Sequence, residues 1–138
     1  MSTEENKALI RTHIERIAKK DLDAVFAEVS PDYVDHELQA GMPPGADGTR
    51  QFFTMLLAAF PDMEPTVEQL LAEGDLVVAR MTIRGTQSGP FLGIPPTGKH
   101  AAWSIIDLYR LAGGKLVEHW GLSDQVALLQ QLGVMPPN

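Results

Sequence analysis

The 138-residue chain contains no cysteine, which excludes disulfides, thiolate nucleophiles and cysteine zinc sites. Positive charge is scarce: 11 Lys and Arg stand against 18 Asp and Glu, for a formal charge of −7. No basic cluster interrupts that balance, so neither nucleic acid nor an anionic membrane surface is an expected partner. No apolar run approaches the ~20 residues that cross a bilayer. The opening Met1-Ser2-Thr3-Glu4-Glu5-Asn6 is acidic and polar, unlike a signal peptide, and the expected location is the cytoplasm. What is present is ordinary for a globular domain: 44% hydrophobic and 21% charged residues, in a length that suits one domain over 1–138.

Helix signals come first along the chain. Ser2 with Glu5 forms a capping box that opens a helix running to about Lys20, with Leu9, Ile10, Ile14 and Ile17 on one buried stripe. Asp21 caps a second, short helix with Leu22, Val25, Phe26 and Val29 inward. Ser30-Pro31-Asp32 ends it, and Tyr33 to Glu37 reads as a short strand. A Gly- and Pro-rich loop from Gly41 to Gly48 leads to a third helix over about Thr49 to Phe60, closed by Pro61.

The period then changes to two. Thr66–Ala72 and Leu76–Thr86 read as strands joined by a hairpin turn at Glu73-Gly74-Asp75. A long loop, Ser88 to Lys99, precedes a second hairpin whose strands are His100–Leu111 and the run from Lys115. A short helix within Leu122–Leu132 and a tail at Met135–Asn138 complete the chain. Helices followed by hairpin-linked strands indicate an α+β fold, with helices packed on one face of a curved antiparallel or mixed sheet.

The second hairpin carries the chemistry. Asp107 sits alone among apolar residues, an expensive place for a carboxylate unless something pairs with it. With Ala112, Gly113 and Gly114 as a three-residue loop, Leu111 faces Lys115 and Asp107 faces His119. A two-residue loop would put Trp120 opposite Asp107 and lose the pair. Asp107 and His119 are therefore expected to form a general acid/base unit tuned by burial and pairing. The alternative is a buried polar pair that only sets strand register. Trp103 and Ile105 share the face of Asp107 and would line a pocket, or be plain core. Asp35 and His36 are adjacent on a strand, so one of them can point inward, and His36 is taken to be that residue.

Several other residues attract attention and are set aside. His13 reads as a core-edge histidine, His100 as solvated, and Asp124 as a helix cap. The four histidines show no ligand spacing, so no metal site is expected. Gly93-Ile94-Pro95-Pro96-Thr97-Gly98-Lys99-His100 matches a phosphate-loop pattern until its last position, but its prolines delete N–H donors and a strand follows. It reads instead as a pocket-rim loop with Phe91 and Ile94 as lids.

Pro31-Asp32-Tyr33, Phe60-Pro61-Asp62, Gly85-Thr86-Gln87-Ser88-Gly89 running into Phe91 to Gly98, Gly114 to Trp120, and Leu128 to Gly133 occur in an order that resembles one family across nearly the whole chain. This is the SnoaL-like polyketide cyclase family of the NTF2-like superfamily, which also holds Δ5-3-ketosteroid isomerases and limonene epoxide hydrolases. The resemblance implies a cone, a bent sheet wrapped around three helices with an apolar pocket between them. It also implies a catalytic aspartate two residues after the histidine of the last strand, where this chain has Gly121, and a pocket histidine where it has Asp107.

Two functions are compatible with these residues. One is acid–base catalysis of the cyclase or isomerase type on a small cyclic or polycyclic apolar molecule, without metal or cofactor. Asp107, His119 and His36 would be catalytic, and Trp103, Ile105, Phe52, Phe91 and Tyr33 would hold the substrate. The other is a non-catalytic domain that binds an apolar small molecule. Alternating apolar residues on both strand faces further suggest a homodimer through the outer face of the sheet.

Overall fold

The computed structural model describes residues 1–38 and 41–136. Helix α1, Thr3–Ala18, opens as the capping box predicts: Glu5 N donates to Ser2 Oγ at 3.0 Å, and Ser2 N donates back to Glu5 Oε1 at 3.1 Å. Such a cap is worth about 1 kcal/mol. Ile10, His13, Ile14 and Ile17 recur at helical spacing and are buried. Asp21 caps α2, Leu22–Ala27, by accepting from Ala24 N at 3.1 Å.

Strand β1, Val29–Asp35, begins earlier than the expected Tyr33 and contains Pro31. The strand lies at the sheet edge and its register is irregular between Val29 and Val34, so the missing N–H costs no ladder bond. Helix α3, Gly45–Ala59, likewise starts four residues before the expected Thr49. Pro43 and Pro44 stop short of the first turn, where N–H donors have no intrahelical partner.

Four long strands follow: β2 Glu64–Glu73, β3 Leu76–Thr86, β4 His100–Ala112 and β5 Lys115–Ser123. The sheet order is β1-β5-β4-β3-β2, antiparallel except for the parallel β1–β5 pair. Helix α4, Gln125–Gln131, is capped by Asp124, which accepts from Ala127 N at 3.1 Å. Pro137 and Asn138, the end of the expected tail, lie outside the described residues. The result is the expected α+β architecture, with α1 lying across β2 and β3 and α3 against β1.

The register of the second hairpin differs from the three-residue expectation. Its turn is Gly113-Gly114, with φ of 57° and 76°, and Ala112 pairs with Lys115. Two consecutive positive φ values are what a tight primed turn requires. That turn would have separated the acid and the imidazole. A bulge between Arg110 and Leu111 then shifts the ladder by one, so Tyr109 pairs with His119 and Asp107 with Gly121. Asp107 and His119 end up on the same face, as diagonal rather than opposed neighbours.

Candidate active site

The inner sheet face and the helices enclose a cavity of about 380 Å³, in the range of small-molecule sites. Its walls are mostly apolar, with Phe52 and Phe53 from α3, Trp103 and Ile105 from β4, Phe91 from the long loop and Tyr33 from β1. All five residues expected to hold a substrate therefore line it. Phe60 packs against both Phe91 and Trp103 at 5.4 and 5.1 Å between ring centroids, fixing that wall.

Polar groups converge on one imidazole. His119 Nε2 lies 2.8 Å from Asp107 Oδ1, and His119 Nδ1 lies 3.0 Å from Asp35 Oδ1. Tyr109 Oη donates to Asp107 Oδ2 at 3.2 Å. Asp35 is itself held by Thr49 Oγ1 at 2.7 Å and by Glu37 N at 2.9 Å. Each carboxylate thus has its own support, and the imidazole ring is clamped at both ends. Among the described residues, no group of three or more His, Cys, Asp or Glu is arranged to hold a metal ion.

The clamp decides the charge of His119. Burial by itself would lower its pKa, but hydrogen bonds and attraction from Asp107 and Asp35 outweigh that and raise it to about 10. Burial would raise the pKa of Asp35, yet His119 and Thr49 bring it below its ordinary value. Near neutral pH the ring is therefore an imidazolium, hydrogen-bonded at its two nitrogens to Asp107 and Asp35. Tyr109 is pushed well above its usual range, chiefly by burial and then by Asp107, so its hydroxyl keeps its proton.

His36 is not part of this cluster, contrary to expectation. It lies outside, stacked on Trp120 with 4.7 Å between centroids, with Nε2 2.8 Å from Glu118 Oε2. The reason is strand alternation: Tyr33 and Asp35 are two apart and share the inner face, which sends the next side chain outward. Asp35 takes the position assigned to His36, and the parity of Tyr33 was the signal for it. His13 also belongs to the cavity wall. Its place between Ile10 and Ile17 on the buried stripe of α1 was the corresponding signal. His100 is exposed, shares a 3.2 Å contact with Thr86 and does not line the cavity.

A family model for SnoaL-like polyketide cyclases matches residues 7–132. The chain belongs to the SnoaL-like polyketide cyclase family. Within it, the nogalonic acid methyl ester cyclase of Streptomyces nogalater is 29% identical over 114 residues, 80% of this chain and 84% of that protein. AclR of Streptomyces galilaeus, provisionally described as a hydroxylase, superposes with a TM-score of 0.89 at 32% identity, over 99% of this chain and 89% of that one. IdmH of Streptomyces antibioticus, provisionally described as a polyketide cyclase, gives 0.79 at 36% identity, over 94% and 99%. The family's fold is thus present throughout the chain. Among the described residues, no helix is long and apolar enough to cross a membrane.

The two buried histidines make stability depend on pH in opposite senses. Burial lowers the pKa of His13 from 6.5 to about 4. The unfolded chain binds the extra proton between those values, so this stabilisation is complete above about 6.5 and lost as pH falls towards 4. For His119 the folded value is the higher one, so its stabilisation is complete below 6.5 and lost as pH rises through about 10. The melting temperature is expected to peak near pH 6.5, with losses on the order of a few kcal/mol on each side. His13→Phe should flatten the acid limb and Asp107→Asn the alkaline limb. Thermal melts across pH 4.5 to 9.5 measure this, and a flat profile in the parent would contradict it.

Proposed function

We propose that this family member is an acid–base catalyst acting on a neutral, largely apolar cyclic or polycyclic carbonyl compound with its own side chains. Asp107 accepts a proton from the carbon beside the carbonyl, whose electron pair passes to the oxygen as an enolate, and later returns that proton. The observation that carries this reading is the His119 ring held between Asp107 and Asp35 at 2.8 and 3.0 Å in an apolar cavity. Both ring nitrogens are engaged and the ring is already protonated, so His119 serves as the charged partner and Asp107 as the base. The Trp103 indole lines the same cavity and is a candidate donor to the developing enolate oxygen.

Gly121 favours a second reading, a binding domain without turnover, because the resemblance assigns the cyclases an aspartate there. Incubating the protein with a panel of cyclic ketones and esters in D2O separates the two. Enzymatic exchange of the protons next to the carbonyl, followed by NMR, supports catalysis. No exchange on any of them, together with a raised melting temperature on binding, supports the binding domain.

The outer sheet face supports a homodimer as part of this reading. Ile106 and Leu122 are cross-strand partners there, 50% and 78% exposed, beside the paired Leu108 and Trp120. Light scattering at micromolar concentration is expected to report a dimer, and Leu122→Glu to report a monomer, since a charge on that apolar face would be desolvated by association. A monomeric parent protein at that concentration refutes it.

A further inference from the structure

His13 is buried at 6% exposure in the cavity wall, and its Nδ1 has no hydrogen-bond partner among the described residues. Buried polar atoms are nearly always paired, so an orphan in a cavity wall calls for an explanation. A neutral imidazole has one N–H and one bare nitrogen. Nδ1 is sealed from solvent, and an unpaired buried donor is rarer than an unpaired acceptor. The proton therefore belongs on Nε2, and the ring edge left to meet the cavity is the far one, which carries Nε2–H. The depressed pKa of about 4 agrees with a ring that stays neutral at working pH.

The neighbours restrict what that N–H can bind. The Tyr109 ring packs edge-on to His13 at 5.7 Å between centroids, and its hydroxyl is spent on Asp107. Two acidic side chains, Asp35 and Asp107, flank the single His119 ring and line the same cavity, so acidic groups outnumber basic ones there. An anionic group would be repelled there, and a neutral His13 offers no charge to offset it. A neutral carbonyl oxygen on an apolar skeleton fits both the donor and the field.

We propose that His13 Nε2–H is the polar anchor of the cavity, donating to a neutral carbonyl oxygen of the bound molecule. This rests on the cavity being a site for neutral apolar carbonyl compounds, as proposed above, and adds the contact that distinguishes a ketone from its hydrocarbon analogue. The function is binding, and it holds whether or not turnover follows.

A matched pair of probes tests it: 1-tetralone, which carries the oxygen, and tetralin, which lacks it. Binding to the intact 138-residue chain is measured by calorimetry or by ligand-detected NMR. One neutral hydrogen bond is worth roughly a two- to twelvefold preference, so the parent should favour 1-tetralone over tetralin beyond their difference in solvation. His13→Phe should lower that preference at least about twofold while leaving tetralin binding within about twofold. His13→Gln, whose amide nitrogen can reach towards the place of Nε2, should restore part of it. In the parent, ¹⁵N spectra of the His13 ring should shift at Nε2 with 1-tetralone and not with tetralin, a readout that needs no variant to fold. An unchanged ketone preference in a folded His13→Phe protein, or an Nε2 resonance indifferent to 1-tetralone, overturns the anchor and leaves the cavity reading intact. Failure of both probes to bind the parent overturns the anchor and the cavity reading together.

Discussion

Under the proposed acid–base chemistry, Asp107→Asn is expected to lower turnover by roughly 10²–10⁴-fold while leaving ligand affinity within a few-fold, the usual worth of a positioned acid or base. The amide keeps the shape of the side chain and can still accept from Tyr109 Oη, but it cannot hold a proton taken from carbon. It also removes one of the two charges that raise the His119 pKa to about 10, so that value should fall towards 6.5. Steady-state rates and NMR titration of the His119 ring read the two effects separately. A Asp107→Asn protein that turns over like its parent would end the assignment of Asp107 as base. His100→Ala, at an exposed ring outside the cavity, is the control and should leave turnover unchanged.

Gly121→Ala is expected to be nearly as damaging, through space rather than charge. Asp107 and Gly121 face each other across β4 and β5, and Asp107 reaches diagonally past Gly121 to the His119 ring. A Cβ at residue 121 would stand 2.5 Å from Asp107 Oδ1 and 3.1 Å from His119 Nε2. The methyl group would occupy the path of the 2.8 Å bond, and the carboxylate would have to swing away. Misplacing a reacting group by about 1 Å can cost 10²-fold in rate, and overpacking costs about 1–3 kcal/mol of stability. A lowered His119 pKa with a folded protein is the signature. If His119 stays protonated above pH 9 and turnover holds within twofold, the diagonal contact is not what the reaction uses.

This places Gly121 in a different light from the one the sequence suggested. Its glycine removes a carboxylate from the position where the resemblance expects the cyclases' aspartate. The same glycine makes room for Asp107 on the facing strand to bring a carboxylate into the cavity beside His119. Loss at one strand and gain at its neighbour are coupled by a single contact distance.

The candidate site was partly legible because strand periodicity and polarity are local properties. An acid isolated among apolar residues at Asp107, a histidine on the next strand, and Trp103 and Ile105 in step with Asp107 all follow from alternation. The same rule, applied from Tyr33, would have selected Asp35 over His36. His13 was harder, since a histidine on an apolar helix stripe looks the same whether the stripe faces packed core or an open cavity.

The sequence by itself determined the element order, the helix caps at Ser2, Asp21 and Asp124, the apolar stripe of α1 and the polarity of the strands. Each of these depends on residues within a turn or two of one another, so no partner from elsewhere in the chain is needed to specify it. Tertiary structure decided the rest. The bulge at Arg110/Leu111 set which residues oppose one another, the parallel pairing of β1 with β5 delivered Asp35 to His119, and the enclosing helices made those charges a buried, coupled group. A one-residue change of register reverses every side chain on a strand, and a pKa depends on groups distant in sequence, which is why neither could be read along the chain.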